Sequence, residues 1–482
     1  MQGRLRELQV RPLREQVRQV PLRPPRQGRL RLRLQGRRND RLLLRLLLDR
    51  QRRLQLREIA SINGLRRTFV ESRTKSSRVL VGAALLCAAS ALGFQGDSEA
   101  ARKAGLDPAK LSAIRVKMQE FVDQSQAAGI VTLVGRRGQL AHLDAVGFRD
   151  LESKDPMRPD TIFRIASMTK PVTAIGIQML EEEGRLSIED SVEKHLPEFK
   201  GQMLVKSKTP QETTLVKPSR PITIRDLLTH TSGLPGGPPI GLSDLYAKRH
   251  RTLAEAAIAY SQMPLQFEPG TKWSYCNAGI DTLGRIIEVL SGKSYEAFLD
   301  ERLFKPLGMK DTFFYPTAER LKRAAKIYKK AATGLAPSEN FIGDPIDGKF
   351  PLPAGGLYST AADLAKLYQM MLNRGSLEGR RYLTEASVER MTKNHTGELR
   401  AGFTDGIVMG LGWQIVGMPT GVTEMLSPGA YGHGGAFGTQ AWLDPKKEMY
   451  FVLLVQRSGF PNGDASDLRK SLQALAVAAI TN

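Results

Sequence analysis

From residue 108 onward, apolar positions recur with clear periods. Residues 108–126 place Leu111, Ile114, Met118, Phe121 and Val122 mainly three or four apart, which predicts an amphipathic helix. Asp107 supplies an N-cap and Pro108 a first-turn proline. Residues 129–149 then read as a hairpin: Ile130-Val131-Thr132-Leu133-Val134, a turn at Arg137-Gly138, and a second apolar stretch over 140–146. Helical patterns follow at 161–184, after a short lead-in, and at 223–230 with Asp226 near the start. Others lie at 252–260, 278–290 and 361–375, the last ending at a glycine. Residues 200–220 are polar and Lys-rich and read as a surface insertion; 235–241 is a Pro/Gly loop. Near the C-terminus the period returns to that of strands, at 410–416, 438–443 and 449–455, with a turn around 444–447 and a closing helix over 468–480. Strands near both ends with helices between predict an α/β (α+β) protein. Its antiparallel sheet is assembled from residues 108–165 and 400–482, flanked by helices, with a mainly helical part inserted over about 166–399. There is no internal repeat.

Composition changes the picture only at the N-terminus. The chain has 482 residues, 41% of them hydrophobic, and a formal net charge of +22, which raises nucleic acid or an anionic membrane as partners. The charge is concentrated, however. Residues 1–60 hold 18 Arg, no Lys and 5 acids, and residues 61–80 add a further +4, so residues 81–482 carry only +5. Residues 1–65 are an Arg/Leu-rich segment without a sustained period. They fit a basic arm, a transit peptide or an overextended start, and the reading favours the last. Arg66, Arg67, Arg73, Lys75 and Arg78 then precede an apolar stretch at 79–86 and the small residues Ala88-Ala89-Ser90-Ala91. Residues 66–95 are thus expected to be a secretory signal peptide, or a membrane anchor through 79–92, placing the protein in the periplasm or outside the cell. A lipid on Cys87 is disfavoured by the bulky Leu86. No nucleic-acid partner is expected for the folded part.

Candidate chemistry sits elsewhere. Ser167-Met168-Thr169-Lys170 is a Ser-x-x-Lys; on a helix, residues three apart share a face, so an amine can stand beside the hydroxyl. A serine hydroxyl attacks a carbonyl only when a base takes its proton, and lysine serves once burial or nearby positive charge lowers its pKa. Tyr275-Cys276-Asn277 and His433-Gly434-Gly435-Ala436 follow in the chain. Six histidines without metal-ligand spacing give no support to a metal site. The absence of Gly-x-Ser-x-Gly argues against an alpha/beta-hydrolase. Residues 343–349 fit Gly-x-x-x-x-Gly-Lys, but Phe350 follows where a phosphate loop needs Ser or Thr. His230, in Thr-His-Thr-Ser-Gly, reads as a scaffold residue.

The three elements in the order 167, 275, 433 resemble the serine beta-lactamase and penicillin-binding superfamily, in its branch of class C beta-lactamases and family VIII carboxylesterases. The stretches 227–234, 306–312 and 354–361 are similar to the same family, so the resemblance covers about residues 108–482. It implies a beta-lactamase-like fold, no cofactor, and a small-molecule ester, lactam or peptide substrate. It implies Ser167 as nucleophile, with Lys170 and Tyr275 sharing the base work and a deprotonated Tyr275 as the favoured proton acceptor. Asn277 would orient Lys170 or a substrate amide. The N–H groups of Ser167 and Ala436 would form the oxyanion hole, and Gly434 and Gly435 would leave room for substrate along the strand edge.

His433 departs from the Lys that many class C beta-lactamases carry at this place. Its charge would then follow pH around 6.5, which favours an esterase or peptidase over a potent beta-lactamase. A D-aminopeptidase or DD-carboxypeptidase, and a catalytically silent binding protein, remain the alternatives. The acyl group, the leaving group and the oligomeric state are not legible in the residues.

Overall fold

The computed structural model describes residues 98–239 and 241–481. The Arg/Leu-rich segment at 1–65 and the signal-like segment at 66–95 lie outside the described residues. No helix among the described residues is long and apolar enough to cross a membrane.

Helix α1, Pro108–Asp123, starts where its cap predicts: Asp107 accepts from the Ala109 N–H at 2.8 Å, worth about 1 kcal/mol. It buries Leu111, Ile114, Met118 and Phe121. Strands β1 (Gly129–Arg136) and β2 (Gln139–Asp150) form the expected hairpin, and β3 (Asp155–Pro156) extends it. Its turn holds Arg137 at φ 48° and Gly138 at φ 74°, the two left-handed residues that match strand twist in a two-residue hairpin.

The helices follow as α2 (Thr169–Glu182), α3 (Ile224–Leu228), α4 (Leu253–Ser261), α5 (Asn277–Ser291) and α6 (Ala361–Leu372). Thr223 and Asp226 close a capping box on α3. The polar residues 200–220 contain a hairpin of their own, Leu204–Lys208 paired with Thr213–Val216, with largely exposed side chains.

The sheet is completed by β4 (Ile407–Met409), β5 (Gln414–Val416), β6 (Tyr431–Gly434), β7 (Gln440–Asp444) and β8 (Met449–Val455), and the chain closes with α7 (Asp467–Ala478). Strand order is β4-β5-β6-β7-β8-β1-β2-β3, every pair antiparallel. Of the strand predicted over 410–416, residues 414–416 form β5, while 410–413 are a tight reversal between β4 and β5. Gly412 takes φ 77° there, and a side-chain carbon on it would overlap Ala174.

Both faces of the sheet are covered, and the period of two shows how. Ile130 and Val134 of β1, with Phe451 and Leu453 of β8, pack against α1 and α7. Val131 and Leu133, with Val452 and Leu454, belong to the larger cluster shared with α2, α5 and α6. Each fully buried side chain of this size contributes roughly 1.5–3 kcal/mol. The second cluster fixes α2 against the sheet beside β6, where Ser167 and His433 lie.

Candidate active site

Ser167 lies in a single 3-10 turn, Ala166–Met168, that runs directly into α2. Ala166 is held at φ 48°, an uncommon conformation for a residue with a side chain. Three bonds over-determine it. Ile165 N–H donates to Leu357 O at 3.0 Å, Thr439 Oγ1 donates to Ile165 O at 3.0 Å, and Thr169 Oγ1 donates to Ala166 O at 2.7 Å. The result presents the Ser167 side chain to a cleft of about 430 Å³.

Lys170 sits one turn on, fully buried at 0% exposure. Its Nζ is 3.2 Å from Ser167 Oγ, 2.7 Å from Ala354 O and 4.6 Å from the Tyr275 ring centre. Burial drives the amine down to about 7, with Asp281 and Cys276 opposing. Burial also pushes the Tyr275 phenol well above its ordinary value, against a hydrogen bond with Ser167, while Asp464 and Cys276 push it higher. Desolvation disfavours the charged form of each, which makes the amine easier and the phenol harder to deprotonate, a direction opposite to the deprotonated Tyr275 that the resemblance implies.

His433 differs from expectation in the same way. It stands on β6 at 2% exposure, with Nδ1 2.7 Å from Gly434 O. A carbonyl only accepts, so Nδ1 carries the proton and Nε2 is left as a bare acceptor, without a partner among the described residues. Burial and the Lys170 charge lower the ring to about 4, with Asp464 and the Gly434 bond opposing. Burial therefore favours the neutral ring and moves its titration below the value near 6.5 expected from sequence.

Asn277 opens α5, its backbone N–H donating to Gly236 O at 3.1 Å. Its Oδ1 is buried and unpartnered among the described residues. The Lys170 amine is held by the Ala354 carbonyl, not by Asn277. No described residue accepts from the N–H of Ser167 or of Ala436, and both residues border the cleft. Two unclaimed donors there are suited to a developing oxyanion.

The glycines have a reason other than room for substrate. A side-chain carbon at Gly434 would overlap Asp464 Oδ1 and Gln440 Nε2; at Gly435 it would overlap Thr439 Oγ1 and Ile165 O. The protein's own packing fills the space. Gly434→Ala is accordingly expected to destabilise the fold by about 1–3 kcal/mol, read as a lowered denaturation midpoint at unchanged slope. A midpoint equal to wild type would show that Asp464 moves aside freely.

Three contributors were not singled out from the sequence. Asp464 lines the cleft, which has no Lys or Arg lining it among the described residues; its carboxylate accepts from Gln440 Nε2 at 2.7 Å. Ala354 holds the lysine, although its Ala-Gly-Gly stretch was visible as a family feature. Asp281, six residues after Tyr275 on α5, is buried at 1% exposure although it shares its helix stripe with Asn277, Arg285 and Glu288, so no signal in the sequence set it apart. His230 supports the site from behind. At φ 61°, its Nδ1 accepts from Cys276 N–H at 3.2 Å and its ring lies 4.7 Å from that of Tyr275.

A Ser-x-x-Lys at the start of a helix, facing strand β6 of an antiparallel sheet across a tyrosine, defines a beta-lactamase-like hydrolase scaffold. Residues 114–476 match the Beta-lactamase family, and the chain belongs to it. An uncharacterized protein of Mycobacterium tuberculosis (strain CDC 1551 / Oshkosh) is 33% identical over 366 residues, covering 72% of this chain and 90% of that one. Esterase EstB of Burkholderia gladioli is 28% identical over 391 residues, 73% of this chain and 93% of that one. Other relatives carry the name putative D-alanyl-D-alanine carboxypeptidase. Among solved structures, EstCE1, described as a hydrolase with promiscuous acyltransferase activity, gives a TM-score of 0.65. It is 24% identical and covers 77% of this chain and 99% of its own, a likeness of fold.

Proposed function

We propose that the protein is a serine hydrolase that cleaves esters through an acyl-Ser167 intermediate. The observation that carries this reading is the 3.2 Å approach of Ser167 Oγ to a buried lysine whose amine is lowered to about 7. Neutral Lys170 takes the Ser167 proton as Oγ attacks the carbonyl carbon. The N–H groups of Ser167 and Ala436 receive the oxyanion. On collapse the leaving group departs with a proton supplied from Lys170, with protonated Tyr275 beside it as donor. Water, deprotonated by the same lysine, then attacks the acyl carbon, and the acid and free Ser167 are released.

The charges around the cleft favour an ester over a lactam or a peptide ending in carboxylate. Burial disfavours a charged His433, no Lys or Arg lines the cleft among the described residues, and Asp464 borders it. A substrate carboxylate there would forgo a charged hydrogen bond worth about 1.5–3 kcal/mol, and each 1.4 kcal/mol is tenfold. A short-chain p-nitrophenyl ester should therefore be turned over at least about tenfold faster than a chromogenic cephalosporin, as kcat/KM. Equal or faster cephalosporin turnover would make the protein a beta-lactamase. Turnover of D-alanyl peptides alone would move the reading to the peptidase named among its relatives.

A further inference from the structure

Asp281 is a buried carboxylate with no Lys, Arg or His nitrogen within ion-pair distance among the described residues. Its Oδ1 accepts from the Ala354 N–H at 2.9 Å, and its Oδ2 from Tyr260 OH at 3.1 Å and Tyr246 OH at 3.3 Å. Lys170 is the mirror case, a buried amine with no carboxylate in ion-pair contact among the described residues. The same residue joins them, because Ala354 gives its N–H to Asp281 and its carbonyl, at 2.7 Å, to Lys170. Buried charges that are not paired directly are tolerated when fixed dipoles and an opposite charge stand nearby.

We infer that Asp281 is a positioning residue for Lys170: it fixes the Ala354 segment that holds the amine and supplies the opposing buried charge. The inference rests on the serine-hydrolase reading of this site. A segment tied on one side to a carboxylate and on the other to the amine keeps Nζ within reach of Ser167. It also resists the drift that would follow if the backbone at Ala354 relaxed.

Charge gives the arrangement a second consequence. Lys170 is faced by Ser167 on its own helix and by Tyr275 and Cys276 from the segment before α5; its charge also acts on His230 and His433. Asp281 is faced by Tyr246 and Tyr260, acts on Tyr295, Cys276 and Arg249, and its carboxyl is pushed up by burial with Lys170 opposing. Of the groups facing the amine, Asp281 is the leading one that favours its protonated form, and Cys276, the only other, is a thiol raised to about 12 by burial and so uncharged. Removing the Asp281 charge should lower the affinity of Lys170 for its proton. The neutral, base-competent amine then appears at lower pH.

The test is the pH dependence of kcat/KM for a p-nitrophenyl ester, from pH 5 to 9, in wild type, Asp281→Asn, Tyr246→Phe/Tyr260→Phe and Ser167→Ala. Asparagine keeps an acceptor for the Ala354 N–H and removes the charge, with the two tyrosine hydroxyls turning to accept from its amide N–H in place of donating to Oδ2. In wild type the rate rises through an acid limb near pH 7, set by Lys170. In Asp281→Asn that limb is expected to move down by about one pH unit, and the plateau to fall severalfold because a less basic amine is a weaker catalyst. The double phenylalanine variant strips two donors from the carboxylate and weakens its charge, so its limb shifts in the same direction by less. It also carries the test if the asparagine variant folds poorly. A limb unmoved in both, with Ser167→Ala inactive, overturns the inference and leaves the serine-hydrolase reading standing. Activity retained in Ser167→Ala overturns that reading itself.

Discussion

Ser167→Ala is expected to reduce kcat/KM for a p-nitrophenyl ester by on the order of 10³-fold or more, with no loss of thermal stability. Among the described residues the hydroxyl is the one side-chain oxygen hydrogen-bonded to the Lys170 amine, and it opens onto the cleft. Without it no acyl-enzyme can form. Removing it leaves Lys170 bonded to Ala354 O, so the interior stays satisfied and the unfolding temperature should not fall. Intact-protein mass spectrometry with a slowly hydrolysed ester reads the same step directly, as acyl mass on wild type and none on the variant. An alanine variant that keeps full turnover would exclude this serine from the reaction.

Lys170→Met should cost on the order of 10²–10⁴ in kcat/KM, the usual span of a lost general base, and should flatten the acid limb near pH 7. Methionine matches the length of the lysine stem and has no proton to exchange. The partner variant Lys170→Arg separates two roles that the charge and the base could play. Arginine keeps a positive charge beside Tyr275 but cannot be deprotonated in a protein. If proton transfer is the role, arginine is as inactive as methionine. Substantial activity in Lys170→Arg would instead assign Lys170 an electrostatic role and return the base to Tyr275.

Much of the scaffold was legible because it rests on local periodicity. Leu111, Ile114, Met118 and Phe121 repeat with the helix. Arg137-Gly138 is a turn whatever surrounds it, and residues 449–455 mark a strand buried on both faces. The reversal at Gly410–Gly412 was misread as a continuous strand because its cause lies in α2: Ala174 leaves space only for a glycine in the left-handed region. The sequence likewise brought together Ser167 and Lys170 through helical spacing, and ordered Tyr275 and His433 after them. Protonation was beyond its reach. The deprotonated Tyr275 came from the family resemblance and the titrating His433 from a reference value; burial pushes the first group up and the second down.

What the sequence determined by itself was most of the elements and the placing of Ser167 and Lys170 one turn apart, because spacing along a helix or strand is enough to put residues on one face. What only the tertiary structure decided was how those side chains are charged and held. The carbonyl that grips Lys170 is 184 positions away in the chain, and the carboxylate behind that carbonyl is 73 positions from it. Desolvation depends on every element packed around a group. It therefore does not exist until α2, α5, the Ala354 segment and β6 have come together.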